Sequence, residues 1–316
     1  MAFRFKRKEN LKSGFKRLLR LMVQQLAEHV TAPTDPEEHI HQARVTIKRI
    51  RALLRLTQAG LPRKTFVEAN QYFRDLGREL SGAREADVLQ QTWTALKNGT
   101  GLAEREVEPI VYRFFCRLVA SQPSCLEPSV LHERPWLDLL PWQEEIEQTF
   151  KAHHDDWAIL RDGIKKTYRL GQQAMDRAVT SQLEADYHEW RKRVKDRAYQ
   201  LEYLSSLWPS IMATLVQELK RLGDLLGQHH DWAVLKRHLA QLAQQEPQVA
   251  LHWPTWKSFI DAEQKQLAVE IYRLGSCLYA DHPGNVSKRM RKYWQTWKKH
   301  GIPAKPYQTT QPMTKP

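Results

Sequence analysis

The feature that most constrains this chain is a repetition within it. The stretch His41-Gln-Ala-Arg44-Val-Thr-Ile-Lys48 returns as His188-Glu-Trp-Arg191-Lys-Arg-Val-Lys195, both of the form H-x-x-R-x-x-hydrophobic-K and 147 residues apart. Downstream, LGRELSGAREADVL (76–89) is matched by LGDLLGQHHDWAVL (222–235), 146 residues apart. Two separate blocks with nearly one offset mark a repeated structural unit, and two similar units in one chain are expected to pair about a pseudo-twofold axis.

Each unit reads as helical. Apolar residues recur at the spacing of a 3.6-residue turn almost throughout, and no run alternates with the period of two that a half-buried strand needs. Helices are expected over 9–30, from 36 to about 60, 65–80, 83–97, 104–120, 143–180, 183–207, 210–227, 231–246, 255–280 and 285–300. Pro36 and two glutamates open the second of them, where the helix dipole favours negative charge. Pro123, Pro128, Pro135 and Pro141 crowd residues 121–142 and suggest a linker. The expected organisation is a first helical bundle over 1–142, a second over 143–300, and a disordered tail over 301–316.

The helix beginning at Pro36 carries an unusual stripe. At 100° per residue, His41, Arg44, Lys48, Arg51 and Arg55 share a sector of about 80°. Ile40, Ala43, Ile47, Ile50 and Leu54 lie on one side of it, and Val45, Ala52 and Leu56 on the other. A solvated charged face normally lies opposite the apolar face; this one is bracketed by apolar residues, as in a groove or channel between packed helices. Like charges stacked in a line repel, and a polyanion would neutralise them. In the second copy His188, Arg191 and Lys195 share the sector and Lys192 lies at its edge. Ala198 and Glu202 replace the later arginines, while Arg193 and Arg197 point elsewhere. Either the second half binds more weakly, or Glu202 forms an ion pair that holds Arg191 or Lys195.

Composition agrees with a polyanionic partner. The 316 residues carry 49 Lys and Arg against 36 Asp and Glu, a formal net charge of +13. Arg suits phosphate because its planar fork meets two oxygens, and Lys supplies a compact charge. His41 and His188 would either donate to a phosphate or serve as neutral orienting groups. No apolar run reaches the roughly 20 residues of a membrane span, and the basic N-terminus lacks the apolar segment of a signal peptide. The three cysteines, Cys116, Cys125 and Cys277, have no C-x-x-C spacing, which speaks against a zinc ribbon or disulfide framework and for a reducing cytoplasm.

Other chemistry is weaker. His153-His154-Asp155-Asp156 and His229-His230-Asp231 contain metal-ligand types, but neighbours on a helix diverge by about 100°, so one cluster cannot complete a coordination sphere. Asp231 reads better as a helix cap or as an orienter of a basic neighbour. The counterparts of the second cluster in the first copy are Arg84 and Glu85, a basic–acidic pair. Glu104-x-Glu106-x-Glu108 lacks the Lys of a metal-dependent triphosphatase strand. Neither a P-loop, a dinucleotide fingerprint nor a hydrolase motif is present. Trp294 and Trp297 lie among Lys288, Arg289, Arg291, Lys292, Lys298 and Lys299, so the last helix is a secondary candidate for contact with nucleic-acid bases, although such tryptophans more often pack.

The two H-x-x-R…K helices, each followed by an LG…D…VL block, and the stretch LRDGIKKTYRLGQQAMDRA containing Tyr168 and Arg169, resemble the CHAD domain (conserved histidine α-helical domain) over roughly residues 10–300. The resemblance implies an all-α fold of two pseudo-symmetric four-helix bundles, one compact unit around a basic central channel. It also implies non-enzymatic binding of inorganic polyphosphate, often at polyphosphate granules; neither a cofactor nor a metal is expected. His41, Arg44, Lys48, Arg51, His188, Arg191 and Lys195 match the family's basic positions. Ala198, Gln172 and Glu85 depart from its pattern. The full candidate phosphate-binding set is His41, Arg44, Lys48, Arg51, Arg55, Arg84, Arg169, His188, Arg191, Lys192, Lys195 and Arg197. The alternatives are a nucleic-acid-binding helical protein and a metal-dependent phosphohydrolase.

Overall fold

A computed structural model describes residues 3–31, 36–80, 85–100, 107–121, 139–151 and 155–301. All regular structure in these residues is helical: α1 (Leu11–Thr31), α2 (Pro36–Leu56), α3 (Arg63–Glu79), α4 (Glu85–Thr100), α5 (Glu108–Ser121), α6 (Leu139–Thr149), α7 (Asp156–Ser181), α8 (Glu184–Tyr203), α9 (Pro209–Ala243), α10 (Pro247–Leu278) and α11 (Pro283–His300), with a short 3-10 turn at Gln58–Gly60. None of the helices is long and apolar enough to cross a membrane. Most of the expected linker, the tail beyond Gly301, and the segments holding Arg84 and His153-His154 lie outside the described residues.

Neighbouring helices close into two rings. In the first, α1 packs on α2, α2 on α3, α3 on α6 and α6 on α1. In the second, α7 packs on α8, α8 on α9, α9 on α10 and α10 on α7. The helices that carry the H-x-x-R…K motifs, α2 and α8, pack against each other between the rings. One continuous set of buried side chains runs through both, from Leu18 and Ile50 to Trp190, Leu226 and Trp256. Matching contacts recur: Gly77 lies against Ile47 in the first ring and Gly223 against Val194 in the second.

The helix ends follow local chemistry. Asp155 accepts a hydrogen bond from the Trp157 amide and starts α7. Prolines open α9, α10 and α11 within their first two positions. α11 ends on Gly301 at φ 83°, and Arg7 donates to the Lys298 and Lys299 carbonyls that its last turn leaves exposed.

Three expected boundaries are corrected. The stretch 143–180 is two helices, because Phe150 leaves α6 to stack on Phe15 at 4.2 Å while Lys151 N–H donates to the Gly60 carbonyl. The expected helices 210–227 and 231–246 are one helix, α9. Gly227 does not break it, because the missing side chain there makes room for the Arg191 guanidinium, 3.1 Å from where a Cβ would stand. Asp231 is therefore mid-helical rather than a cap. Finally, α10 starts at Pro247 and runs through Pro254. The carbonyl that loses its partner there belongs to Ala250, an exposed residue, so no buried bond is lost.

At Gly163 the two rings meet backbone to backbone. A Cβ on Gly163 of α7 would stand 2.1 Å from the Leu56 carbonyl oxygen at the end of α2. Neither backbone can yield cheaply, so Gly163→Ala is expected to cost about 3 kcal/mol or more and to lower Tm by at least about 5 °C. Thermal unfolding of the variant checks this, and an unchanged Tm would mean that α2 and α7 are not in contact.

Candidate functional site: a half-buried basic seam between α2 and α8

His41, Arg44, Lys48, Arg51 and Arg55 are each half-buried on α2. Ile47 and Leu54 are buried on one side of the row, and Ala52 and Leu56 on the other. The row is therefore recessed between apolar walls instead of lying on an outer face.

The register of α2 against α8 is fixed by four contacts. Tyr203 Oη donates to the Arg49 carbonyl at 2.7 Å, and Arg49 Nη2 lies 3.6 Å from Glu202. Gln200 Nε2 reaches the Ala52 carbonyl at 3.5 Å, and Arg55 Nη1 donates to Asp196 Oδ1 at 2.6 Å. As numbers rise along α2 they fall along α8, so the helices are antiparallel. The basic row of α2 runs about 21 Å from His41 to Arg55, and that of α8 about 10 Å from Lys195 to His188, at 1.5 Å per residue. The antiparallel register sets these rows end to end, with Arg51, Arg55 and Lys195 nearest the crossing.

Asp196 organises that crossing. It is buried beside Arg55, Arg193 and Arg51; burial raises its pKa, and those three guanidinium groups oppose the rise. Arg51 donates from Nε to Asn70 Oδ1 of α3. Burial first, and then repulsion from Arg55 and Arg74, bring its pKa down to about 10, so it stays charged at neutral pH. Among the described residues, Arg51, Arg55 and Arg193 outnumber the carboxylates of Asp196 and Glu189 that face them.

The second row is seated on the LG block of α9. Arg191 Nε donates to the Gly223 carbonyl at 3.3 Å, and its guanidinium lies over Gly227. Lys195 is half-buried, with its side chain 3.9 Å from where a Gly223 Cβ would stand. Lys192 is exposed and pairs with Glu189. Glu202 pairs with Arg49 and with Lys220 Nζ at 2.8 Å, so it does not hold Arg191 or Lys195, as one expectation had it. Arg169 is exposed on α7. Arg197 lies on the opposite side of α8 from the row, buried, with its guanidinium 4.5 Å from the Tyr168 ring and 4.7 Å from the Tyr279 ring.

Asp196 and Arg49 were missed from the sequence. A single acidic residue inside the basic run RKRVKDR was the signal for Asp196. Arg49 lies outside the stripe, and only its cross-helix partner reveals it.

Around the far end of the second row, the His188 and His230 rings are 4.8 Å apart, His230 Nδ1 lies 3.2 Å from Glu184, and His229 stacks on Tyr187 at 4.1 Å. Among the described residues no group of three or more His, Cys, Asp or Glu could hold a metal ion. Burial holds both His188 and His229 down to about 4, with Lys192 and His230 adding repulsion at His188, and His230 at His229. In the unfolded chain both titrate near 6.5. Between these values the unfolded state binds more protons, so stability is complete above about pH 6.5 and is lost as the pH falls toward 4. A melting series should show Tm falling across this window, and His229→Phe should flatten the fall; parallel profiles would show that His229 is not the titrating group.

Trp294 and Trp297 are buried, and Lys298 Nζ lies 5.0 and 5.3 Å from their ring centres. The indoles of α11 are packed inward and offer no stacking platform for bases.

A family model described as the CHAD domain matches residues 17–240. The crystal structure of the CHAD domain from the plant Ricinus communis has the same fold, with a TM-score of 0.65 at 21% sequence identity, covering 89% of this chain and 96% of that one. No curated protein matches the chain.

Proposed function

Because the chain belongs to the CHAD domain family, we propose that it binds inorganic polyphosphate without catalysis, in a basic central channel where α2 and α8 meet. In this reading the two helical rings are the two pseudo-symmetric bundles of an internal repeat. His41, Arg44, Lys48, Arg51 and Arg55 of one bundle and His188, Arg191 and Lys195 of the other contact successive phosphates, and Lys192 guides the chain from the rim. The same reading carries a cytoplasmic setting and association with polyphosphate granules, and requires neither metal nor cofactor.

The observation that carries it is the recessed row of α2. Five half-buried basic side chains between buried apolar walls concentrate positive potential in a narrow space of low polarisability. A thin, flexible polyanion fits such a space, whereas a duplex needs a broad outer face. Many phosphates engaged together give affinity that a single phosphate cannot reach.

The test is a titration with polyphosphates of graded length. Affinity is expected to rise until a chain spans both rows, orthophosphate should bind weakly, and binding should weaken steeply with salt through counterion release. Length-independent affinity would reject the two-row site. Displacement of RNA and DNA by long polyphosphate is expected in competition, and failure to displace them would favour the nucleic-acid reading.

A further inference from the structure

A cavity of about 290 Å³ lies between α7, α8, α9 and α11, on the side of α8 turned away from the basic row. More than half of its lining is apolar, with Ile164, Met212, Leu215 and Met290 among these residues, and Thr167, Tyr168, Gln200 and Tyr293 add polar groups beside the charged Arg197, Asp281 and Arg289. Arg197 reaches in from α8. Its Nη1 donates to the Leu278 carbonyl at 2.7 Å, and its guanidinium approaches the faces of Tyr168 and Tyr279. Among the described residues no carboxylate lies within ion-pair distance of it. Asp281, also in the lining, is matched by Arg289 at 2.8 Å. The lining therefore keeps one net positive charge, buried and held, among the described residues, by the Leu278 carbonyl and the Tyr168 and Tyr279 side chains.

Burying a cation without a counter-charge is costly, and folds rarely retain such a group unless something neutralises it. The aromatic faces offset part of the cost. A largely apolar pocket with a few polar groups and one uncompensated charge is the usual form of a site for a small molecule with an apolar body and one opposite charge. The volume lies at the small end of such sites, roughly 300–1,000 Å³. The Arg289–Asp281 pair and the exposed Ala280 and Ile211 mark its mouth. We propose that this cavity binds a small amphipathic carboxylate, its head on the Arg197 guanidinium and its apolar body between α9 and α11. The site is independent of the seam between α2 and α8.

Octanoate is the probe, with octanol and acetate as controls for its tail and its head. Met212 and Met290, two of the six methionines, line the cavity, so the full chain labelled with ¹³C at the methionine methyls reports occupancy directly. Octanoate should shift these two signals saturably, at one molecule per chain, and bind at least about tenfold more tightly than octanol or acetate, as expected when a charged hydrogen bond is added to apolar burial. Arg197→Gln, which keeps a donor for the Leu278 carbonyl, should remove that preference over octanol. Ala280→Trp, which leaves Arg197 in place and blocks the mouth, should abolish binding of both and controls for misfolding in the first variant. An unchanged methionine spectrum, octanol binding as tightly as octanoate, or undiminished octanoate binding by Ala280→Trp would each overturn the proposal. Polyphosphate affinity in Ala280→Trp should match that of the parent chain.

Discussion

Replacing Arg44, Lys48, Arg191 and Lys195 together with alanine is expected to weaken binding of long polyphosphate by at least about a thousandfold, while the far-ultraviolet circular dichroism stays that of a helical protein. The four residues take two positions from each row, so neither end of the ligand keeps its grip. A charge-assisted hydrogen bond contributes about 1.5–3 kcal/mol, and the recessed setting reduces screening by water and salt. Alanine is the strongest helix former, so α2 and α8 do not lose intrinsic helicity. The control is a pair of exposed lysines on α11, Lys292→Ala and Lys299→Ala, which removes charge from an outer face and should leave affinity within about threefold. Retained affinity in the fourfold variant would move the ligand away from the seam. Equal losses in both variants would reduce the interaction to net charge.

Asp196→Ala should have the opposite signature. Removing the carboxylate leaves Arg55 without its ion-pair partner and takes a counter-charge away from Arg51 and Arg193, the latter still paired with Glu189 at 2.5 Å. Breaking a buried pair by deleting one partner costs about 3–5 kcal/mol, because the other charge stays behind. The protein is therefore expected to unfold about 6–15 °C earlier at low ionic strength. Affinity for polyphosphate should be equal to or higher than that of the parent, since the deleted group competes with phosphate for the same guanidinium groups. Saturating polyphosphate should raise the Tm of this variant more than that of the parent, because the ligand restores the missing negative charge. A double variant, Arg55→Met with Asp196→Leu, should recover most of the lost stability by replacing the pair with apolar volume. If Asp196→Ala lost both stability and affinity, Asp196 would be positioning the site rather than competing for it.

Much of this architecture was legible from local pattern. The helical class followed from periodicity, and the start of α2 was placed to the residue by Pro36 and its first-turn glutamates, while its end fell about four residues before the expected one. The bracketing of the basic row could be read from the sequence because the position of a side chain around a helix depends only on its number. Errors fell where a distant contact overrode a local signal. Gly227 and the polar triplet after it read as a break, yet Arg191 packs against that glycine and α9 continues. Pro254 read as a boundary, yet the residue whose carbonyl it frees, Ala250, is exposed and α10 continues. The stretch 143–180 carried no break in its pattern, and it is divided because Phe150 turns aside to stack on Phe15.

The sequence by itself determined the all-helical class and which charges share a face on α2 and α8, because these depend on spacing along one chain at 3.6 residues per turn. Only the tertiary structure decided that α2 and α8 run antiparallel, that Asp196 is set among arginines from both helices, that Glu202 pairs with Arg49 and Lys220, and that Arg197 lines a cavity away from the basic row. Those outcomes depend on which side chains fill the space between helices, and residues more than a hundred positions apart carry no periodic signal of one another.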